Sequence, residues 1–452
     1  MNDIREIASK GYCAGCGACA VACPDISMQL TDIGTYIPTL DKIGSVLSVA
    51  SSVCPFSDTA LNEDELARRR YDADNASHNP FLGFFNGLYA GQISAEDLRL
   101  GSSSGGLTSW FLAELLRLEL VDGVIHVGAA TRVENGKILT AYTVSSSVTE
   151  LLGKRKSRYY PHEFSRALAS IRGDGKRYAI VGLPCFIKAA RLLAEEDSIL
   201  HEQLSYFVGL VCGHLKSARF AEFLAWQMGV NPSVLDEVDF RIKEPGLAAN
   251  EYSFGARSIC STGWLTKSVR SLYGADWGLT FFQLRACDFC DDIFSETADI
   301  CFGDAWLPEY LGDWKGTNVV LCRTVAAKRI VEDGISSGSI VAHTISENDI
   351  IRSQAGTIRL RRDGLSVRLD DAIRANRAVP RKRIMPGSRP VSLLRRWTIR
   401  LRALIGSESH KSYQIARRRN SLCIYNLRML PLSMLVGAVN RVSRILCWLR
   451  RS

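Results

Sequence analysis

Residues 177–213 read RYAIVGLPCFIKAARLLAEEDSILHEQLSYFVGLVCG. RYAIVG is a short apolar run closed by Gly and Pro, IKAARLLAEE carries apolar residues at helical spacing, and LSYFVG is a second apolar run. Such a pattern predicts strand, helix, strand. The same alternation extends in both directions. Upstream, a helix over 105–120 (GGLTSWFLAELLRLEL) precedes a strand at 123–130 (GVIHVGAA), and a helix at 163–172 leads into RYAIVG. Downstream, a helix is expected at 217–229 (SARFAEFLAWQMG). Alternating elements of this kind imply an α/β sheet with helices on its faces.

Residues 237–325 look richer in strands, with EVDFRIK, LTFFQLRAC, ADICFGDA and NVVLCRT. A helix AAKRIVEDG and a strand SIVAHTI then close the body near 370. Residues 1–60 are dense in Cys and Gly, with a strand-like GTYIPTL. Residues 61–95, a charged helix NEDELARRR followed by the polar DADNASHNP, read as a linker. The expected fold class is therefore α/β (α+β overall): a small ferredoxin-like domain, a mixed-sheet α/β body and a basic helical tail.

At 452 residues and 46% hydrophobic content, the chain can bury a large core in two or three domains. The net charge of +9 conceals an asymmetry. Residues 381–452 hold 17 Lys or Arg against one acid, Glu408, a net of +16, which leaves −7 on the remaining 380 residues. The opening MNDIREIASKGYC lacks the apolar stretch of a secretory signal, so a reducing, cytoplasmic compartment is expected for the 14 cysteines. In such a compartment, clustered cysteines point to metal or redox chemistry.

Cys13, Cys16, Cys19 and Cys23-Pro24 form C-x2-C-x2-C-x3-C-P, the ferredoxin run for a [4Fe–4S] cluster. Zinc sites more often show separated C-x2-C pairs. In two-cluster ferredoxins the fourth Cys of each run ligates the other cluster. A second run should end at Cys54-Pro55, but its three preceding cysteines are missing. Cys13, Cys16, Cys19 and Cys54 are the expected ligands, which strands Cys23; the alternative takes Cys23 as the fourth ligand and leaves Cys54 unexplained. Cys287 and Cys290 form a further C-x2-C pair, while Cys185 and Cys212 each follow a predicted strand. Sites in open α/β sheets collect at the carboxyl ends of strands, so these four could converge on a second cluster; singly, Cys185 and Cys212 also read as small buried hydrophobes. Cys260, Cys301, Cys322, Cys423 and Cys447 read as such hydrophobes.

Ser102, Ser103, Ser104, Gly105 and Gly106 precede an apolar helix, an arrangement that suits a phosphate or, equally, a Ser N-cap. Lys154, Arg155, Lys156 and Arg158 beside Tyr159 and Tyr160 could face an anionic cofactor or acidic substrate, or simply solvent. In the tail, SLLRRWTIRLRALIG, ARRRN and VNRVSRILCWLRRS place apolar residues at helical spacing opposite Arg, with Trp397 and Trp448 among them. This is the pattern of a helix lying on an anionic membrane surface; a helical hairpin packed on the body and a disordered basic tail are the alternatives. The apolar MLPLSMLVGAV is 11 residues long, short of the roughly 20 that span a bilayer. No nucleic-acid recognition motif accompanies the charge.

Taken in order, the ferredoxin run, SSSGG, KSRYY, VGLPCF, GLVCGH, FRIK, LRACDFC and ADICFGDAW resemble the family of coenzyme F420 hydrogenase and dehydrogenase beta subunits over roughly residues 10–330, and most nearly its bacterial polysaccharide-associated branch. The resemblance implies domains at 96–190 and 191–370, after 1–60 and the linker 61–95 and before the tail 371–452. It also implies FAD in the α/β body, with electrons passing between flavin and cluster. Ser103, Ser104, Gly105 and Gly106 match the family's Ser-Gly-Gly loop, and Ser157-Arg158-Tyr159 its Ser-Lys-Tyr. Pro184-Cys185 matches its Pro-Cys with Phe186 for the usual Gln, and Asp304 lies in a Gly-Asp-x-Trp turn near the cofactor. The expectation is a reductase that takes electrons from a ferredoxin-like donor through 4Fe–4S clusters to a flavin and then to a small-molecule or glycan-related substrate. Arg158 and His214 are its candidate catalytic residues, and its place is cytoplasmic, peripheral at the inner membrane face. The alternatives are a one-electron transfer protein with no substrate site of its own, and a tail-mediated scaffold with a structural cluster.

Overall fold

The computed structural model describes residues 1–40, 47–71, 76–130 and 138–449. Its fifteen strands are β1 (Ser27–Leu30), β2 (Tyr36–Thr39), β3 (Ser77–Asn79), β4 (Gly83–Phe85), β5 (Gly87–Ile93), β6 (Gly123–Ala129), β7 (Thr140–Ser145), β8 (Tyr178–Gly182), β9 (Leu204–Leu210), β10 (Leu235–Lys243), β11 (Tyr252–Ser258), β12 (Leu265–Ser268), β13 (Ile300–Asp304), β14 (Asn318–Cys322) and β15 (Ile340–Thr344). Eight of them form one sheet in the order β15-β5-β14-β13-β9-β8-β6-β7. β13, β9, β8 and β6 run parallel, and antiparallel strands flank them on both sides. β8 is buried along its whole length, as a strand covered on both faces must be.

The helix Pro184–Glu196 follows β8 with Pro at its first position, where the missing N–H costs nothing. Nearly all its residues through Ala194 are buried. Its Lys188, placed among apolar neighbours, is matched by Glu63 at 3.2 Å.

Two sequence expectations are corrected. The linker 61–95 supplies the helix Glu63–Tyr71 and then β5, an inner strand hydrogen-bonded to both β14 and β15. Its glycines mimic a loop, but Gly91 marks close approach: a Cβ there would lie 2.4 Å from Ala342 Cβ. Residues 72–75 of that segment lie outside the described residues. The expected strand LTFFQLRAC is a 3₁₀ turn, Trp277–Leu279, and a short helix, Arg285–Asp288. Thr280 and Phe282 have φ near +60°, which ends an extended run, and the Phe282 amide donates to Ser409 Oγ at 2.8 Å. Strands from both sides of the 190/191 boundary share the large sheet.

The N-terminal region has a small cluster of its own, Ile4, Cys19, Cys23, Ile26 and Ala50, and shares a larger one with the body. Ile7, Tyr12, Ala18, Val53 and Phe56 pack in the same cluster as Phe164, Phe186 and Ile187 of the body.

The tail adopts the hairpin alternative. Helix Leu393–Arg418 buries Ile399, Leu401, Ile405 and Tyr413 against Phe220, Phe223 and Phe282. Helix Leu422–Leu449 is continuous through Pro431. The 11-residue apolar segment is thus part of a longer one: Leu422–Leu446 is long and apolar enough to cross a membrane by length and composition, and only Tyr425, Met429 and Val436 of its described side chains are buried.

Candidate functional site

Cys13, Cys16 and Cys19 sit on a loop that bends through Gly15 and Gly17, both at positive φ. A Cβ on Gly15 would meet the Tyr36 carbonyl oxygen at 2.9 Å. Gly17 caps the helix Ala18–Ala22, which carries Cys19. These three thiols and that of Cys54, at the end of the helix Leu47–Ser52, line one small cavity with Ile4, Ile7, Met28 and Phe56. Cys23 is outside it, packed with Ile4, Ile26 and Ala50. Burial, and then the neighbouring Cys54, pushes the Cys13 thiol up to about 12; burial raises Cys16 and Cys19 as well. A buried set of thiols surrenders its protons only to a cation. A four-iron cube takes one thiolate at each corner. The donor set fits the cube.

The second group forms at the carboxyl ends of the parallel strands. Cys185 lies in the first turn after β8 and Cys212 two residues beyond β9, while Cys287 and Cys290 come from the helix Arg285–Asp288 and the residues just after it. Burial and then Cys290, Cys212 and Cys287 raise the Cys185 thiol, and Cys16 of the first group acts on it too. The two groups are therefore neighbours. The Leu215 amide donates to Cys287 Sγ at 3.1 Å. Of the cysteines expected to be plain core, Cys301 and Cys322 are buried in the sheet, but Cys260 and Cys423 are exposed; the Cys447 side chain lies outside the described residues.

Cys212 also borders a cavity of about 1270 Å³ at the same end of the sheet. Ser103, Ser104, Gly106, Ser157, Arg158, Tyr159, His214 and Asp304 all line it. Gly105 lies behind that lining, where a Cβ would sit 2.8 Å from both the Gly91 carbonyl oxygen and Asn318 Oδ1. The serine loop and the KSRYY segment touch: the Ser157 amide donates to Ser103 Oγ at 2.8 Å. The helix N-terminus expected to receive a phosphate is partly closed. Asn318 Oδ1 accepts from the Leu107 amide at 3.1 Å, and the Ser102 and Ser104 hydroxyls donate to the Leu98 and Thr317 carbonyls.

Asp304 accepts from Arg241 Nη1 at 2.7 Å, and the Arg241 guanidinium lies 4.6 Å from the Tyr252 ring centroid and 5.3 Å from that of Trp306. Arg158 donates to the Val238 carbonyl at 3.0 Å, and its buried Nε has no hydrogen-bond partner among the described residues. His214 is buried against Trp277 with its centroid 4.5 Å away; its Nε2 has no hydrogen-bond partner among the described residues, and burial holds the ring well below its ordinary pKa. Lys216 and Lys243 are each brought down to about 7, chiefly by burial. Lys243 donates to the Ser104 carbonyl at 2.9 Å.

Arg241, Lys243, Lys216 and Trp277 are site residues that sequence reading left without a role. FRIK was visible as a motif, and strand alternation could have turned two of its basic residues toward one wall. Lys216 and Trp277 carried no comparable signal.

Residues 88–169 match the family model for the N-terminal part of the coenzyme F420 hydrogenase/dehydrogenase beta subunit, and residues 175–348 that for its C-terminal part. A subunit of the F(420)H(2) dehydrogenase of Methanosarcina mazei is 24% identical over 336 residues, covering 71% of this chain and 82% of the relative. The coenzyme F420-dependent sulfite reductase of Methanocaldococcus jannaschii is 22% identical over 350 residues, covering 72% of this chain and 46% of that one. Among solved structures, a chain of the F420-reducing [NiFe] hydrogenase complex of Methanosarcina barkeri superimposes with a TM-score of 0.50 at 16% identity, over 67% of this chain and 98% of that one. At that identity the likeness shows the fold.

Proposed function

The chain belongs to the family of coenzyme F420 hydrogenase/dehydrogenase beta subunits, a family of redox proteins, and on that premise we propose that it is an iron–sulfur flavoprotein reductase. Cys13, Cys16, Cys19 and Cys54 hold one [4Fe–4S] cluster, and Cys185, Cys212, Cys287 and Cys290 a second. Ser103, Ser104, Gly106, Ser157, Tyr159 and Asp304 border a flavin, FAD by the family resemblance. When bound, the clusters relay single electrons from a ferredoxin-like donor and the flavin stores two for an organic acceptor. The observation that carries this reading is spatial order: Cys185 feels Cys16 of the first thiol group, and Cys212 of the second borders the cavity.

The chain's own residues shape the remainder. Arg241 fixes Asp304 in the cavity wall. Arg158 and Arg241 bring positive charge to an anionic acceptor, which suits a phosphorylated, glycan-related substrate of cell-surface polysaccharide synthesis. His214, kept neutral by burial, lines the cavity with its Nε2 free to hydrogen-bond an acceptor molecule. The test is anaerobic reduction of bound flavin by reduced ferredoxin, followed by its absorbance. Wild type should bleach, and Cys54→Ala and Cys212→Ala should each stop bleaching. Undiminished bleaching in both variants would contradict the reading.

One observation favours a second reading, a one-electron component of a larger assembly: two of the relatives are, by name, a dehydrogenase subunit and part of a hydrogenase complex. Clusters without a bound flavin would select it.

The tail supports placement at an anionic membrane face. Leu427, Met434, Val442 and Ile445 are exposed along one side of the second helix, with Arg428 and Arg441 bounding its uncharged middle. Co-sedimentation with phosphatidylglycerol vesicles, lost with phosphatidylcholine or in Met434→Glu, would support that placement. Equal sedimentation with both lipids would count against it.

A further inference from the structure

Arg361 and Arg323 are the two most deeply buried arginines, at 1% and 0% exposure. Neither has a carboxylate within ion-pair distance among the described residues, whereas Arg362, Arg368 and Arg383 all do. Arg323 is satisfied otherwise: it donates to the carbonyls of Leu82, Phe84, Phe294 and Ser295. Among the described residues Arg361 donates to the Cys287 carbonyl and meets the Cys287 side chain, and its Nε has no hydrogen-bond partner. It lies in Arg359–Asp363, a π-helical turn between the helices Ala355–Ile358 and Gly364–Arg374. Such turns are uncommon and often occur at functional sites. Its guanidinium faces Cys290, Cys287, Cys212 and Cys185, with the Asp288 carboxylate and the Arg368 guanidinium also near enough to act on it.

A guanidinium does not lose its proton in a protein, and a buried charge without a partner is strongly unfavourable. Neutral thiols cannot supply that partner. Four thiolates around an iron–sulfur cube do, because the assembly is anionic and gains one more negative charge on reduction.

We propose that Arg361 is the counter-charge of the second cluster and a positioning residue for its electron: by stabilising the reduced form more than the oxidised form, it raises the cluster's reduction potential. The inference rests on the two-cluster reading above. It assigns a role to a residue beyond the segments that match the family models, which end at 348.

The test uses the full chain, purified anaerobically, with redox titration followed by electron paramagnetic resonance on wild type, Arg361→Gln and Arg361→Lys. Arg361→Gln is expected to keep the wild-type iron content while the reduced-to-oxidised ratio of one cluster, at a fixed poise, falls at least tenfold, equivalent to about 59 mV for one electron. The other cluster should be unmoved, and Arg361→Lys, which keeps the charge, should shift less. Should Arg361→Gln fail to assemble the second cluster while Arg361→Lys assembles it, the requirement for charge stands. Wild-type ratios in both variants, or equal loss of iron from both, would overturn the proposal. About four irons in the wild type itself would instead overturn the two-cluster reading, and the proposal with it.

Discussion

Cys13, Cys16 and Cys19 lie within seven residues, and two left-handed glycines bend the chain so that their thiols face one cavity. Cys185, Cys212, Cys287 and Cys290 come from segments as much as 105 residues apart, and they meet only because β8 and β9 are adjacent parallel strands and a short helix packs across their ends. A local turn builds the first group; the whole sheet builds the second. The first should therefore fail through its own backbone, and the second through packing some distance away.

The largest expected effect is on the second group. Beside Cys290, Asp291 and Glu296 are buried and both pair with Arg383, at 3.0 and 2.7 Å. Arg383→Ala leaves these carboxylates without that partner, a loss expected to cost about 3–5 kcal/mol. Chemical denaturation should show that loss, and iron analysis should show the second cluster depleted with the first retained. Depletion of both alike would erase the distinction. For the first group, Gly15→Ala forces a side chain into left-handed backbone and against the Tyr36 carbonyl. About 1–2 kcal/mol is expected, with iron lost from the first cluster alone. Ser103→Ala removes the acceptor of the Ser157 amide, which should cost about 1 kcal/mol and weaken flavin retention while leaving iron content unchanged. The smallest effect is expected at Cys23, which lies outside the first cavity, so Cys23→Ala should keep the full iron complement.

Proton linkage adds a test that does not depend on iron. His126 and His162 are buried, and burial brings them down to about 4 and about 3. Between those values and the ordinary 6.5, the unfolded chain binds the protons and the folded chain does not, so stability rises with pH across that window. Urea midpoints should fall as pH drops from 6.5 toward 4, and His162→Gln should flatten the slope. An unchanged slope in that variant would contradict the assignment.

The same contrast explains what the sequence disclosed. The strands β6, β8, β9, β13, β14 and β15 and the helices between them were legible, because each carries its own apolar period. β5 was not, since the glycine that lets it approach β15 closely resembles loop composition. Phe281 and Phe282 read as strand residues because they are apolar, but they are buried between body aromatics such as Phe223 and Tyr273 and the tail hairpin, contacts no local window contains. In the site, the ferredoxin run and the absence of a second run singled out Cys54 before any geometry. Arg361, Lys216 and Arg241 became visible only once strands far apart in sequence were side by side.

The most direct measurement is iron and acid-labile sulfide per chain in anaerobically purified wild type, Cys54→Ala and Cys287→Ala. About eight irons are expected in wild type and about four in each variant, with distinct residual resonance spectra because a different cluster survives in each. About four irons in wild type, unchanged by Cys287→Ala, would contradict the two-cluster reading.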